Sequence, residues 1–111
     1  QREALESDPR EGMVREYLDT LLPKKWYEWN LPRRRSYIQG TDFEDEKGVM
    51  ERNEVCYAEI WYECFGKAQG EMQTKDSYAI ASILNKLPNW KKSDRRKRIA
   101  GYGQQRVYER V

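Results

Sequence analysis

The sequence predicts a mostly α chain closed by a small β-hairpin, and three stretches predict it. Residues 53–66 carry apolar side chains at helical spacing and end on Gly66. Residues 74–90 repeat that spacing, with Ile80, Ile83, Leu84 and Leu87 on one stripe, and stop at Pro88 before Trp90. Residues 99–110 set Gly101-Tyr102-Gly103 between two short extended runs, which suits a tight hairpin tip. Helix, turn, helix, strand, turn, strand is the order of a winged helix-turn-helix, here with an N-terminal helical extension. Two units are expected: a linking or packing helix over 1–22 and a winged-helix-like body over 23–111.

The totals narrow the function classes. A chain of 111 residues suits one domain with an appended arm. Charged residues are abundant, but four Trp and eight Tyr offset them, because each buried aromatic removes roughly 150–250 Å² from water. No apolar run approaches the ~18 residues of a membrane span, and no signal-peptide pattern opens the chain. A cytoplasmic location without membrane contact is therefore expected. The chain begins with Gln1, as a fragment or a processed chain would. Cys56 and Cys64, if both lie on one helix, stand about 12 Å apart along its axis. That is beyond disulfide reach, so two free thiols are expected. No histidine is present, which removes Ser-His-Asp and Cys-His nucleophiles and most zinc sites. No enzyme activity, cofactor, metal or small-molecule substrate is expected of this chain.

Charge is unevenly placed. Residues 41–64 hold eight acids and two bases, a net of −6, whereas residues 86–111 hold nine bases and two acids, a net of +7. A basic C-terminal end attracts polyanions even when the total is near neutral.

In chain order, Ser7-Asp8-Pro9 predicts a helix start, with Val14, Tyr17, Leu18, Leu21 and Leu22 as its apolar face and Pro23 as its stop. Ordinary packing is the plainer reading of this helix; linkage to a preceding domain is the functional one. Asn30 predicts the cap of a short second helix that ends before Gly40. Trp26, Tyr27 and Trp29 read as a satellite core, and Arg33-Arg34-Arg35 as a solvated or ion-paired face. Asp42, Glu44, Asp45 and Glu46 read as a solvated loop, since their order is not that of an EF-hand. A short strand is expected at 49–52, where a winged helix pairs one with its wing. Asn53 and Thr74 are the expected caps of the two central helices.

The second of those helices presents Lys75, Tyr78, Ser82, Asn85 and Lys86 away from its buried stripe. In a chain whose acids nearly equal its bases, a plain solvent face would include Glu. A face without one suits a phosphate backbone or base edges. Arg95, Arg96, Lys97, Arg98 and Arg106 are expected to neutralise phosphates from the wing, and Gln104 and Gln105 to hydrogen-bond at its tip. The plainer reading is a solvated helix and a basic tail.

Three motifs carry a resemblance: Glu59-Ile60-Trp61-x-Glu63-Cys64-Phe65-Gly66, Ile83-Leu84-x-x-Leu87-Pro88-x-Trp90 and Tyr102-Gly103-x-Gln105-Arg106. With the acid-rich stretch and Arg33-Arg34-Arg35 before them, residues 23–110 resemble the C-terminal region of the virulence-associated protein E family. Those are phage- and plasmid-encoded replication proteins of helicase and primase type. Asn89 stands where the resemblance expects glycine. No Gly-x-x-x-x-Gly-Lys-Ser/Thr loop is present, so the resemblance implies an appended module without the ATPase motor. It implies a non-catalytic module that contacts DNA, duplex or single-stranded. The alternative is a docking or oligomerisation module that meets other replication proteins.

Overall fold

The computed structural model describes residues 8–42 and 46–111. Ser7, Glu44 and Asp45, invoked above, lie outside the described residues. Asp8 Oδ1 accepts from the Arg10 N–H at 2.8 Å and opens helix α1, Glu11–Asp19. Val14, Tyr17 and Leu18 fall on its buried face, as the spacing predicts. Leu22 is buried beyond the helix end in an isolated bridge to Met50, while Leu21 is exposed. Helix α2, Leu31–Ile38, is capped as expected: Asn30 Oδ1 accepts from the Arg33 N–H at 2.9 Å. Gly40 follows at φ +76°.

The central stretch departs from expectation. Residues 53–66 are not one helix. Glu54–Cys56 form strand β1, and Tyr57–Glu59 a single turn, α3, which continues as a π turn over Ile60–Cys64. Asn53 therefore caps nothing. Cys56 does, with Glu59 Oε1 accepting its N–H at 2.8 Å. Pairing of Val55 and Cys56 with a distant strand overrides the local helical pattern. Gly66 at φ +70° ends the helix, as predicted.

Helix α4, Thr74–Asn85, begins one residue earlier than a Thr74 cap requires. Gln73 precedes it and donates its N–H to Asp76 Oδ2 at 2.9 Å. Strands β2, Trp90–Ile99, and β3, Gly103–Arg110, form the hairpin. The whole basic run thus lies within a strand, and the chain is mixed α/β rather than mostly α. The described residues form four α-helices and a three-strand antiparallel sheet of order β1-β3-β2. The strand expected at 49–52 lies a few residues later, as β1, and does pair with the hairpin, Val55 opposite Tyr108.

Both sheet faces are covered near the base. On one face Val55, Tyr108 and Trp90 join Val14, Tyr17 and Leu18 of α1, Ile60 and Trp61, and Ile80, Ile83 and Leu84 of α4. On the other, Cys56, Val107 and Ile99 form a smaller cluster with Ala58 and Tyr102. Both cysteines are free. No helix among the described residues is long and apolar enough to cross a membrane.

Candidate nucleic-acid interface

Helix α4 sets the first half of the surface. Ile80, Ile83 and Leu84 are buried, and the 3.6-residue period turns Lys75, Tyr78, Ser82, Asn85 and Lys86 to the exposed side. Tyr78 is 72% exposed. Lys86 stands 3.9 Å from Glu11 Oε1, a loose surface pair. Asn85 Oδ1 accepts from Tyr108 OH at 3.0 Å, which ties the helix face to the sheet.

The strand period sorts the basic run into two faces. Arg96 lies directly opposite Arg106, Arg98 opposite Gln104, and Lys92 opposite Tyr108. Cross-strand partners share a face, so these residues are on the side that carries Tyr108 and meets α4. Lys97, opposite Gln105, is on the other side. There its Nζ lies 2.7 Å from Glu109 Oε2 and 3.2 Å from Glu54 Oε1. Those carboxylates hold the Lys97 ammonium above the ordinary lysine value. Among the described residues no ion pair engages Lys92, Arg96, Arg98 or Arg106. The sequence run 95–98 is thus not uniform: Lys97 is an internal tether, and its neighbours on either side are bare cations.

Arg95 sits where β2 bulges. Between Lys92 and Arg96 the strand advances four residues while β3 advances two. The Arg95 N–H donates to Ser93 Oγ at 3.2 Å, and its side chain is exposed. Lys92 was not among the expected contact residues. Its signal is the two-residue alternation from Trp90, which places Lys92 beside Arg96 and Arg98.

The hairpin tip is not the free wing tip expected from the sequence. Arg34 Nη1 donates to Ala100 O at 2.6 Å, and Tyr102 OH donates to Glu63 Oε2 at 2.7 Å. Gln105 is drawn into this turn, its Nε2 donating to Tyr102 O at 2.9 Å, so it is not a tip contact. Gln104 remains exposed on the α4 side.

Arg33, Arg34 and Arg35 are struts rather than a clamp. Arg33 stacks over Trp29 at 3.7 Å and stands 3.8 Å from Asp42. Arg34 is buried and also donates to the carbonyls of Trp26 and Tyr27. Arg35 donates to Gly66 O and lies over the Tyr62 ring. Trp26, Trp29 and Tyr37 pack mutually at 5.6–5.9 Å, a satellite core in which Tyr37 takes the place expected of Tyr27, which is exposed.

Arg52, Glu59 and Glu63 form a buried ionic cluster. Arg52 Nη1 donates to Glu59 Oε2 at 3.1 Å, and its Nη2 is 3.6 Å from Glu63 Oε1. Tyr17 OH donates to Glu63 Oε1 at 2.7 Å, and Arg52 stacks over the Tyr17 ring. Burial pushes the Glu59 carboxyl up to about 7; Arg52 pulls it down and the Glu63 charge adds to the rise. Tyr102 is also raised well above the ordinary phenol value, first by burial and then by Glu63. No described group of three or more His, Cys, Asp or Glu residues is arranged to hold a metal ion. No known family model matches the chain, and no curated protein is similar to it.

Proposed function

We propose that this chain is a winged helix-turn-helix that binds DNA, with α3 and its π turn as the first helix of the pair and α4 as the recognition helix. A strand β1 before the helix pair and the β2-β3 hairpin after it, in a sheet of order β1-β3-β2, support the winged reading. The observation that carries the binding reading is the charge sorting. The sheet face that meets α4 keeps Lys92, Arg96, Arg98 and Arg106 without an ion pair among the described residues, while on the opposite face Lys97 is held between Glu54 and Glu109. An edge strand rich in Lys and Arg also guards against edge pairing. That role does not require the cations to be sorted by face. The module has no catalytic part in this reading. Its resemblance to the virulence-associated protein E family supports a role as part of a phage- or plasmid-derived replication protein.

The test is fluorescence anisotropy with labelled DNA across a salt series. The wild type is expected to bind at about 50 mM salt with a steep slope, since each lost phosphate contact lowers that slope by roughly 0.9 on duplex. Replacing Arg96, Arg98 and Arg106 together by Gln should abolish most binding, whereas Lys97→Gln should leave the slope nearly unchanged. Equal losses in both variants would sink the assignment. An exposed patch of Trp26, Tyr27 and Trp29 would support the docking alternative; Tyr27 is exposed, but Trp26 is buried and Arg33 lies over the Trp29 ring.

A further inference from the structure

We infer that Arg96 and Arg106 act as one two-pronged clamp for a single phosphate group, a phosphodiester of the DNA backbone. This rests on the DNA-binding reading and deepens it. The two arginines are direct cross-strand partners. Side chains so placed have Cβ atoms about 4.5–5.5 Å apart, and like charges there destabilise a sheet. Nothing among the described residues relieves that repulsion: no ion pair engages either guanidinium, and both side chains are exposed. The same hairpin shows the ordinary remedy one position away, where Lys97 sits between Glu54 and Glu109.

A phosphate supplies what the pair lacks. Its oxygens accept from two guanidinium forks at once, and its charge offsets both. The strand pair is anchored at both ends. Trp90 is anchored in the main core at one end of β2, and Ile99 in the smaller cluster at the other. The tip is pinned by Arg34 and Tyr102. The backbone of a nucleic acid would therefore cross the flank of the hairpin rather than receive its tip. Tyr108, hydrogen-bonded to Asn85, makes that flank continuous with the exposed face of α4.

The experiment uses the whole chain with Arg96→Gln, Arg106→Gln and the double variant, read by duplex binding and by thermal melting without DNA. Each single variant should weaken duplex binding about tenfold. A shared phosphate predicts that the double variant lowers the salt slope by roughly 0.9, where two independent phosphates predict roughly 1.8. Each single variant should also raise the melting temperature of the DNA-free protein at low salt, because it removes a like-charge pair. A slope loss near the larger value, or a lower melting temperature in both single variants, overturns the clamp. If the wild type binds no DNA, the proposed function falls, and the clamp is then judged on inorganic phosphate. A rise in melting temperature with phosphate, present in the wild type and absent in the double variant, keeps it as an anion site. No difference between them removes it.

Discussion

Glu59 shows best how a single residue escapes a sequence reading. On composition it belongs to an acid-rich stretch, and acids are mostly surface residues. In the fold it is wholly buried, one oxygen accepting from the Cys56 N–H and the other from Arg52. The missed signal is Arg52: one base followed by acids seven and eleven residues on, beside a helix flanked by aromatics. Burial raises the Glu59 carboxyl from 4.5 to about 7. Between those values the folded chain holds a proton that the unfolded chain releases, so stability falls as pH rises through the window. The contribution is full below the ordinary glutamate value and gone above about 7. Urea unfolding of the wild type and Glu59→Gln at pH 5 and pH 7.5 checks this. The wild type should lose about 2–3 kcal/mol relative to the variant between the two. A difference that does not change with pH would show that Glu59 is ionised throughout.

At the scale of elements, the hairpin is the instructive case. Its turn was legible, because Gly101 at φ +89° occupies the third position of a turn closed by the Tyr102 N–H to Ile99 O at 2.9 Å. Its docking was not, because contacts from Arg34 and Glu63 come from 66 and 39 residues away. Helix α4 was read almost whole, since one apolar stripe at period 3.6 fixes both its faces. The helix expected over 53–66 was misread at its start, because Val55 and Cys56 fit a strand or a helix and only β3 decides. A Cβ on Gly101 would sit 2.6 Å from Leu31 Cδ2, on a backbone that L side chains rarely adopt. Gly101→Ala is expected to cost about 1–2 kcal/mol. Gly12→Ala, inside α1 with open space around the new methyl, should stabilise by about 0.5–1 kcal/mol. Chemical denaturation of both variants gives the signs; a neutral Gly101→Ala would mean that the tip is not held as described.

For the molecule as a whole, the division at residue 22 expected from the sequence meets a core that spans it. Val14, Tyr17 and Leu18 pack with Ile83, Leu84 and Trp90, and Leu22 bridges to Met50. Tyr17 reaches Glu63, and Arg110 at the far end of the chain donates to Leu18 O at 2.8 Å. Pro23 and the polar start mark a boundary in the sequence because a stop signal and low hydrophobicity look alike at a linker and between packed elements, although ordinary packing is the plainer reading of the helix. Removing 1–22 would open one side of the main core and leave the Glu63 oxygen that Tyr17 satisfies without that donor. Burying a Leu or Val side chain is worth about 1.5–3 kcal/mol, and a domain's net stability is only about 5–15 kcal/mol. Loss of Val14, Tyr17, Leu18 and Leu22 together is therefore comparable with the whole of it. The truncated chain is expected to lack the near-ultraviolet signal of its packed tryptophans and to show no cooperative melt. Should residues 23–111 melt cooperatively near the temperature of the full chain, α1 would be an accessory to a body that folds alone, and the DNA measurements could be made on that body.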